Sequence, residues 1–326
     1  MPAPQPPAPR DPGPEILPYG LVVGQEAAKR ALELQYVEPA IRGVLLSGQR
    51  GTAKSTVVRA FGLMTEGLLP VTLPINATDD RVLGGWELDA LLRSRASKQP
   101  GLLAEAGERG LLYIDEVNLL DDHIVNLILD AAATGVLSVQ REGRNDVSAV
   151  SFALCGTMNP EEGGLRPQLL DRFGLLVPVA ELDAAERQAM VRTVLRFDTE
   201  RAVERAGGTS PWLAEARAAD AERRAALGRA RAALPHIDVP EELLSLCAQA
   251  ASRLEVYGHR GDLTAIRAAR ALAALEGAIT TSPAHLRAVL PMAFRHRRPD
   301  TTQEGGHRWT PAEEAVLDEL LGTTGA

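Results

Sequence analysis

Eight consecutive residues, Gly48-Gln49-Arg50-Gly51-Thr52-Ala53-Lys54-Ser55, have the types and spacing to hold a chain of phosphates. Gly48 and Gly51 allow tight turns in which successive backbone N–H groups point inward at phosphate oxygens. Lys54 adds a point charge at the β- and γ-phosphates, and the Ser55 hydroxyl can ligate Mg²⁺. The segment is nearly G-x-x-x-x-G-K-[ST], the P-loop pattern. It departs at Ala53, where the pattern asks for glycine. If that position needs φ > 0, alanine costs about 1–2 kcal/mol there; in a helical conformation the cost is small. The apolar run Gly43-Val44-Leu45-Leu46-Ser47 precedes the loop, and a helical stretch from Thr56 to Met64 follows. That strand–loop–helix context separates a phosphate cradle from a chance glycine-rich turn.

A second group of acids suits the same chemistry. Leu111-Leu112-Tyr113-Ile114 is an apolar strand that ends in Asp115-Glu116. A strand buried on both faces tolerates carboxylates only at its end, and in open α/β sheets that end is where ligands bind. Asp115 is the natural Mg²⁺ partner of Ser55, and Glu116 the base that polarises an attacking water. Alone, the pair is equally a solvated strand terminus; the loop upstream gives it meaning. Cys155-Gly156-Thr157-Met158-Asn159-Pro160 again ends a strand. Asn159 can orient the water or touch the γ-phosphate, although a turn asparagine before proline is common in its own right.

These residues need a scaffold that brings strand ends together. Between Gly43 and Val179, short β-rich runs alternate with helical stretches: 43–47, 70–75, 111–114, 151–155 and 175–179. Apolar strands separated by helices predict a parallel sheet covered on both faces. After Asp183 the strand runs stop, and Ala, Arg, Glu and Leu dominate. Pro240-Glu241-Glu242 opens one helix, and Ser282-Pro283 opens another. Thr310-Pro311-Ala312-Glu313 has the form of a capping box, which predicts a last helix to about Leu321. Residues 184–326 therefore read as all-helical.

The chain has 326 residues, 45% apolar and 24% charged, with formal charge −8. That length suits one large and one small domain, each with its own core. The acidic balance gives no long-range attraction to nucleic acid or anionic membrane. No apolar run approaches the roughly 18 residues of a spanning helix. Residues 1–18, rich in proline, lack the apolar stretch of a signal peptide and read as a flexible tail. Cys155 and Cys247 read as two buried thiols, and the six histidines lie singly rather than as a metal cluster. A cytoplasmic protein is expected, with no nucleic-acid or membrane partner.

Taken together, these segments resemble the AAA+ ATPases, and most closely the I subunit of magnesium chelatase. Val22-Val23-Gly24-Gln25-Glu26 resembles that family's entry motif beside the adenine. Residues 77–82, 100–103, the acidic strand through His123, Gln140-Arg141-Glu142-Gly143, Asn159-Pro160-Glu161-Glu162-Gly163 and 165–174 carry the likeness further. It is close over residues 19–179 and looser beyond. The resemblance implies an AAA+ P-loop NTPase: an α/β core with a five-stranded parallel sheet over residues 19–182, a helical lid over 183–300, and an extension over 301–326. ATP and Mg²⁺ are the implied cofactors. Val23, Gly24 and the loop from Gly48 through Thr56 would bind nucleotide; Ser55 and Asp115 would hold its Mg²⁺. Lys54, Glu116, Asn159 and Arg172 would be catalytic, with Arg172 as the arginine finger that reaches a neighbour's ATP. A plainer reading of Arg172 is a surface arginine paired with Asp171. Gly258-His259-Arg260-Gly261-Asp262-Leu263 resembles the lid's sensor-2 region, with Arg260 the first candidate for the nucleotide and Arg267 the second. The family works as a ring and drives a large porphyrin-binding subunit together with a D-type AAA+ subunit. The implied function is Mg²⁺ insertion into protoporphyrin IX. Cobalt or nickel chelation, a MoxR-type chaperone and, more remotely, a DNA-remodelling motor are the alternatives.

Overall fold

The computed structural model describes residues 15–86, 98–141, 144–299 and 308–322. Most of the proline-rich tail, Glu142 and Gly143, and residues 301–307 lie outside the described residues. Five parallel strands form the central sheet: β1 (Val44–Ser47), β2 (Val71–Leu73), β5 (Leu111–Ile114), β8 (Ala153–Met158) and β9 (Leu175–Pro178). Their order is β2-β5-β8-β1-β9. Two antiparallel hairpins, β3 (Gly84–Trp86) with β4 (Lys98–Pro100) and β6 (Val136–Arg141) with β7 (Arg144–Ala149), are inserted between sheet strands.

The alternation of side chains along each strand splits the interior into two layers. Val44, Leu46, Leu111, Tyr113, Leu175 and Val177 face one layer. Leu45, Leu112, Ile114 and Leu176 face the other. Burial on both faces explains why these strands read as continuous apolar runs. Each fully buried Leu or Val contributes about 1.5–3 kcal/mol over its exposed state.

The second half is helical, as its composition predicts. Helices Ala184–Arg205 and Pro211–Ala233 are followed by Glu241–Arg253, Arg260–Leu275, Pro283–Phe294 and Pro311–Leu321. The Thr310/Glu313 capping box is formed, and Ser282 makes another with His285. Among the described residues, the helical half does not have a core of its own. One apolar cluster runs from the sheet face through helix Glu26–Val37 into Leu227, Cys247, Ala268, Leu286 and Leu317 of the helical half. The cause is the alanine-rich face of Arg260–Leu275, whose short side chains permit close approach. Ile16 and Leu17, read from sequence as flexible tail, pack against this cluster as well. Cys155 and Cys247 are buried free thiols, and burial pushes the Cys247 thiol up to about 12.

Candidate nucleotide site

Strands β5, β8 and β1 are neighbours, so their carboxyl ends meet. Asp115 and Glu116 follow β5, Asn159 follows β8, and the loop from Gly48 follows β1. A cavity of about 780 Å³ opens there. Arg50, Gly51, Thr52, Ala53, Lys54, Ser55, Thr56, Asp115, Glu116 and Asn159 all line it. Leu17, Leu21, Val22, Val23, Leu182, Met190 and Val194 line it too, with Glu181, Arg187 and Thr193 among them, an apolar surface with polar points suited to a planar base.

The loop's backbone explains its composition. Gly51 has φ +79°, and Gly48 lies so close to Val179 that an added Cβ would sit 2.5 Å from the carbonyl oxygen. Gly48 and Gln49 themselves border a neighbouring cavity of about 420 Å³ with Met158 and Val179. Gly24, at φ +69°, packs under Leu182, where a Cβ would meet Cδ2 at 2.6 Å. Next to it, the Gln25 amide donates to Thr52 O and Ala180 O, both at 3.2 Å, and so ties the entry segment to the loop.

Ala53 settles the question its identity raises: φ is +62° and ψ 18°, the left-handed conformation. The strain is real and local. Ala53→Gly is expected to relieve about 1–2 kcal/mol in the native state and to return about 0.4–1 kcal/mol as unfolded-state entropy. The net expectation is a stability gain of about 0.5–1 kcal/mol in chemical denaturation. An unchanged midpoint would mean that the loop relaxes around the alanine.

Helix Lys54–Glu66 begins at Ala53 with no side-chain cap on its first amides. Three other helices close their N-termini with capping boxes. Uncapped amides facing a cavity match a phosphate group. Lys54 Nζ donates to Gly48 O (2.6 Å) and Gln49 O (2.7 Å). Burial pushes its pKa below the ordinary lysine value, while Asp115, Glu116 and Glu162 pull it back up.

The oxygen donors on the other side are held by a tyrosine. The Tyr113 hydroxyl donates to Asp115 Oδ1 (2.7 Å) and bonds the Ser55 hydroxyl (2.8 Å). Thr157 Oγ1 donates to the same Asp115 oxygen (2.8 Å) and accepts from Glu116 N (3.2 Å). Ser55 and Asp115 thus converge on one small volume with hard oxygen donors, which fits Mg²⁺. Burial pushes the Tyr113 phenol well above its usual range, so it stays a donor. Glu116 has φ +53°, a second strained residue at the site. Its carboxylate lies 3.4 Å from Arg50, which also pairs with Glu162 at 2.7 Å. Asn159 is buried, lines the cavity and caps the following turn through Glu161 N (3.3 Å).

Comparison with known proteins agrees with this geometry. The model for the AAA domain (dynein-related subfamily) matches residues 43–173, and that for the AAA lid domain matches 244–320. The magnesium-chelatase 38 kDa subunit of Cereibacter sphaeroides is 42% identical over 89% of this chain and 94% of its own. The chain belongs to the magnesium-chelatase I-subunit family of AAA+ ATPases. The magnesium-chelatase subunit ChlI homolog of Methanocaldococcus jannaschii is a further relative, 36% identical over 86% of this chain and 85% of its own. A crystal structure from Cytophaga hutchinsonii, 16% identical, shares the fold, with a TM-score of 0.66 over 92% of this chain and 91% of that one.

In this family member, the three arginines singled out in the sequence stand together, apart from the loop cavity. Arg172, Arg260 and Arg267 line a cavity of about 140 Å³ with Asp130, Asp171 and Arg297. Arg172 pairs with Asp130 at 2.5 Å, not with its chain neighbour Asp171. Asp171 instead holds Arg260 at 2.6 Å. Arg267 donates to Ala40 O at 3.1 Å. Arg260 and Arg267 were expected at the nucleotide; within one chain they do not reach the cavity that Lys54 lines. The reason is the packing of Arg260–Leu275 against helix Glu26–Val37 and the turn Pro39–Ile41, which holds Arg260 beside Asp171 and Arg267 beside Ala40.

The sequence also hides residues that matter. Tyr113 reads as a core residue, since it lies in an apolar strand. Arg50 falls in the loop assigned to the nucleotide, but its pairing with Glu116 and Glu162 joins segments far apart in sequence and cannot be read from the loop. Asp220 accepts from Tyr19 N and Gly20 N, both at 2.8 Å, and fixes the approach to the entry segment from 200 residues away. An aromatic hydroxyl two residues before a strand-end aspartate was the one available signal for Tyr113. Among the described residues, no group of three or more His, Cys, Asp and Glu is placed to hold a metal ion, and no helix is long and apolar enough to cross a membrane.

Proposed function

We propose that this chain is the ATP-hydrolysing motor of a metal chelatase, working in the cytoplasm as a homo-oligomeric ring. Its task is Mg²⁺ insertion into protoporphyrin IX, with a D-type AAA+ subunit and a large porphyrin-binding subunit. The convergence of Lys54, Ser55, Asp115, Glu116 and Asn159 on one cavity carries the hydrolase reading. Relatives named as magnesium-chelatase subunits support the metal; the tetrapyrrole and the partner subunits are those the family resemblance implies.

In this reading, the amides of residues 50–55 and the Lys54 ammonium bind the triphosphate. Lys54 then exchanges the carbonyls of Gly48 and Gln49 for phosphate oxygens. Ser55 and Asp115 hold Mg²⁺, which when bound neutralises charge on the β- and γ-phosphates. Glu116 polarises the attacking water, and Asn159 orients it. Val23, Gly24 and the apolar wall from Leu182 to Val194 take the adenine. Arg172, with Arg260 and Arg267 beside it, serves the nucleotide of the next subunit, where its charge acts as the γ-phosphate leaves. The separation of this arginine group from the chain's own loop favours that arrangement.

The decisive experiment mixes the purified chain with its D-type and porphyrin-binding partners, ATP, Mg²⁺ and protoporphyrin IX. The absorption bands of the metalloporphyrin should replace those of the free porphyrin only when all three proteins are present. If the chain hydrolyses ATP yet supports insertion of no metal, the chelatase reading fails; if Co²⁺ or Ni²⁺ alone is inserted, the metal is corrected.

Tyr113→Phe tests the oxygen cluster. Loss of the hydroxyl should weaken Mg²⁺-dependent nucleotide binding about tenfold. Affinity measured with EDTA should be unchanged. Equal loss in both conditions would show a packing defect instead.

A further inference from the structure

Arg297 is only 3% exposed, and no step above uses it. Its guanidinium has five N–H donors, and all five are engaged. Nε donates to Asp171 Oδ1 (3.0 Å). Nη2 donates to Asp171 O (2.8 Å) and Phe173 O (2.6 Å). Nη1 donates to Gly174 O (2.9 Å) and to Ala293 O (2.6 Å) of the preceding helix, Pro283–Phe294. Four of the five bonds therefore fall on residues that flank Arg172 on both sides. The second Asp171 oxygen is taken by Arg260, and His296 Nε2 bonds Phe173 O at 3.0 Å.

The opposite side of this segment is gripped by the core. Gly174 N and Leu175 N donate to Gly43 O at 3.0 and 3.1 Å. Gly174 sits so tightly that a Cβ would lie 1.8 Å from Ile41 O. Residues 171–174 are thus clamped between the edge of the sheet and one arginine of the region matched by the lid model. A buried cation is a costly way to glue two surfaces, since apolar side chains of similar volume often do as well. A rigid planar fork, however, fixes backbone direction as well as distance.

We infer that Arg297 is a positioning residue for the arginine finger: it binds the backbone on either side of Arg172 to the lid, so that the lid of one subunit sets the finger offered to the next. The inference rests on the reading of Arg172 as acting on a neighbour's nucleotide. Helix Pro283–Phe294, which packs on β9, leads directly into Arg297, so a displacement of the lid moves the Arg172 main chain with it.

Mixed rings test this. Glu116→Gln subunits keep a finger but cannot hydrolyse; Arg172→Ala subunits keep a hydrolytic pocket but have no finger. Each alone is inactive, and their mixture should regain turnover. If it does not, the reading of Arg172 fails in a sample that contains no Arg297 variant, and the inference falls with it. Arg297→Lys keeps the charge and loses the fork. Its homogeneous rings should show kcat reduced at least tenfold with KM for ATP within twofold of the parent. Mixed with Glu116→Gln subunits, which lend a finger, Arg297→Lys should regain turnover. Mixed with Arg172→Ala subunits, it should not. Recovery in that last mixture equal to the Glu116→Gln control would overturn the inference, as would no recovery of a folded Arg297→Lys protein with Glu116→Gln. Asp171→Asn attacks the same clamp from the other side and should reproduce the pattern; if Arg297→Lys does not fold, that variant decides alone.

Discussion

Glu116→Gln is expected to lower ATP turnover by at least about a hundredfold, the usual worth of a positioned base, while ATP stays bound. The amide keeps the size and polarity of the carboxylate but cannot take a proton. The residue's frame should survive the change, because it does not depend on the side chain. Glu116 N is held by Thr157 Oγ1, and its left-handed backbone is fixed between β5 and the turn Val117–Leu119. The carboxylate does meet Arg50 at an exposed position, but a pair of that kind contributes little in water. Equilibrium binding of a fluorescent ATP analogue, alongside phosphate release, separates the two effects. Persistent hydrolysis at more than a tenth of the parent rate would remove Glu116 from the role of base.

Arg172→Ala should be as damaging, for a different reason. Arginine fingers are worth about 10³-fold or more in turnover, and here the loss should appear only in assembled rings. Arg172 lines none of the cavity that Lys54 and Asp115 share, so nucleotide affinity of the separate subunit should be unchanged. The loss of its pair with Asp130 should cost little stability, since the aspartate is 64% exposed. Turnover measured against protein concentration is the discriminating readout. The parent should rise steeply as rings form and the variant should stay flat; a variant that follows the parent curve would make Arg172 a surface residue.

Much of the site was legible because its parts are local in sequence. The loop from Gly48 to Ser55 and the acids at the end of β5 announce themselves by spacing, and their strands by unbroken apolar runs. What could not be read depends on contacts between distant segments. The conformation of Ala53 is set by a loop packed against β9, so residue identity alone left two outcomes open. Tyr113 has the pattern of a core residue; only the register of β5 against β8 aims its hydroxyl at Asp115 and Thr157. The place of Arg260 and Arg267 follows from how alanine-rich helices dock on Glu26–Val37, for which the helical pattern gives the buried face but not the docking angle. The continuity of the core into the helical half was hidden for the same reason.

The ammonium of Lys54 is already satisfied by two carbonyls of the loop that it closes. A triphosphate must therefore win this cation from a rival within the chain, and the enthalpy of docking is a difference between two bonded states. Departure of the product is correspondingly easy, because the lysine returns to partners that wait within 3 Å of it. An ATPase that turns over repeatedly is better served by such an exchange than by an irreversible grip.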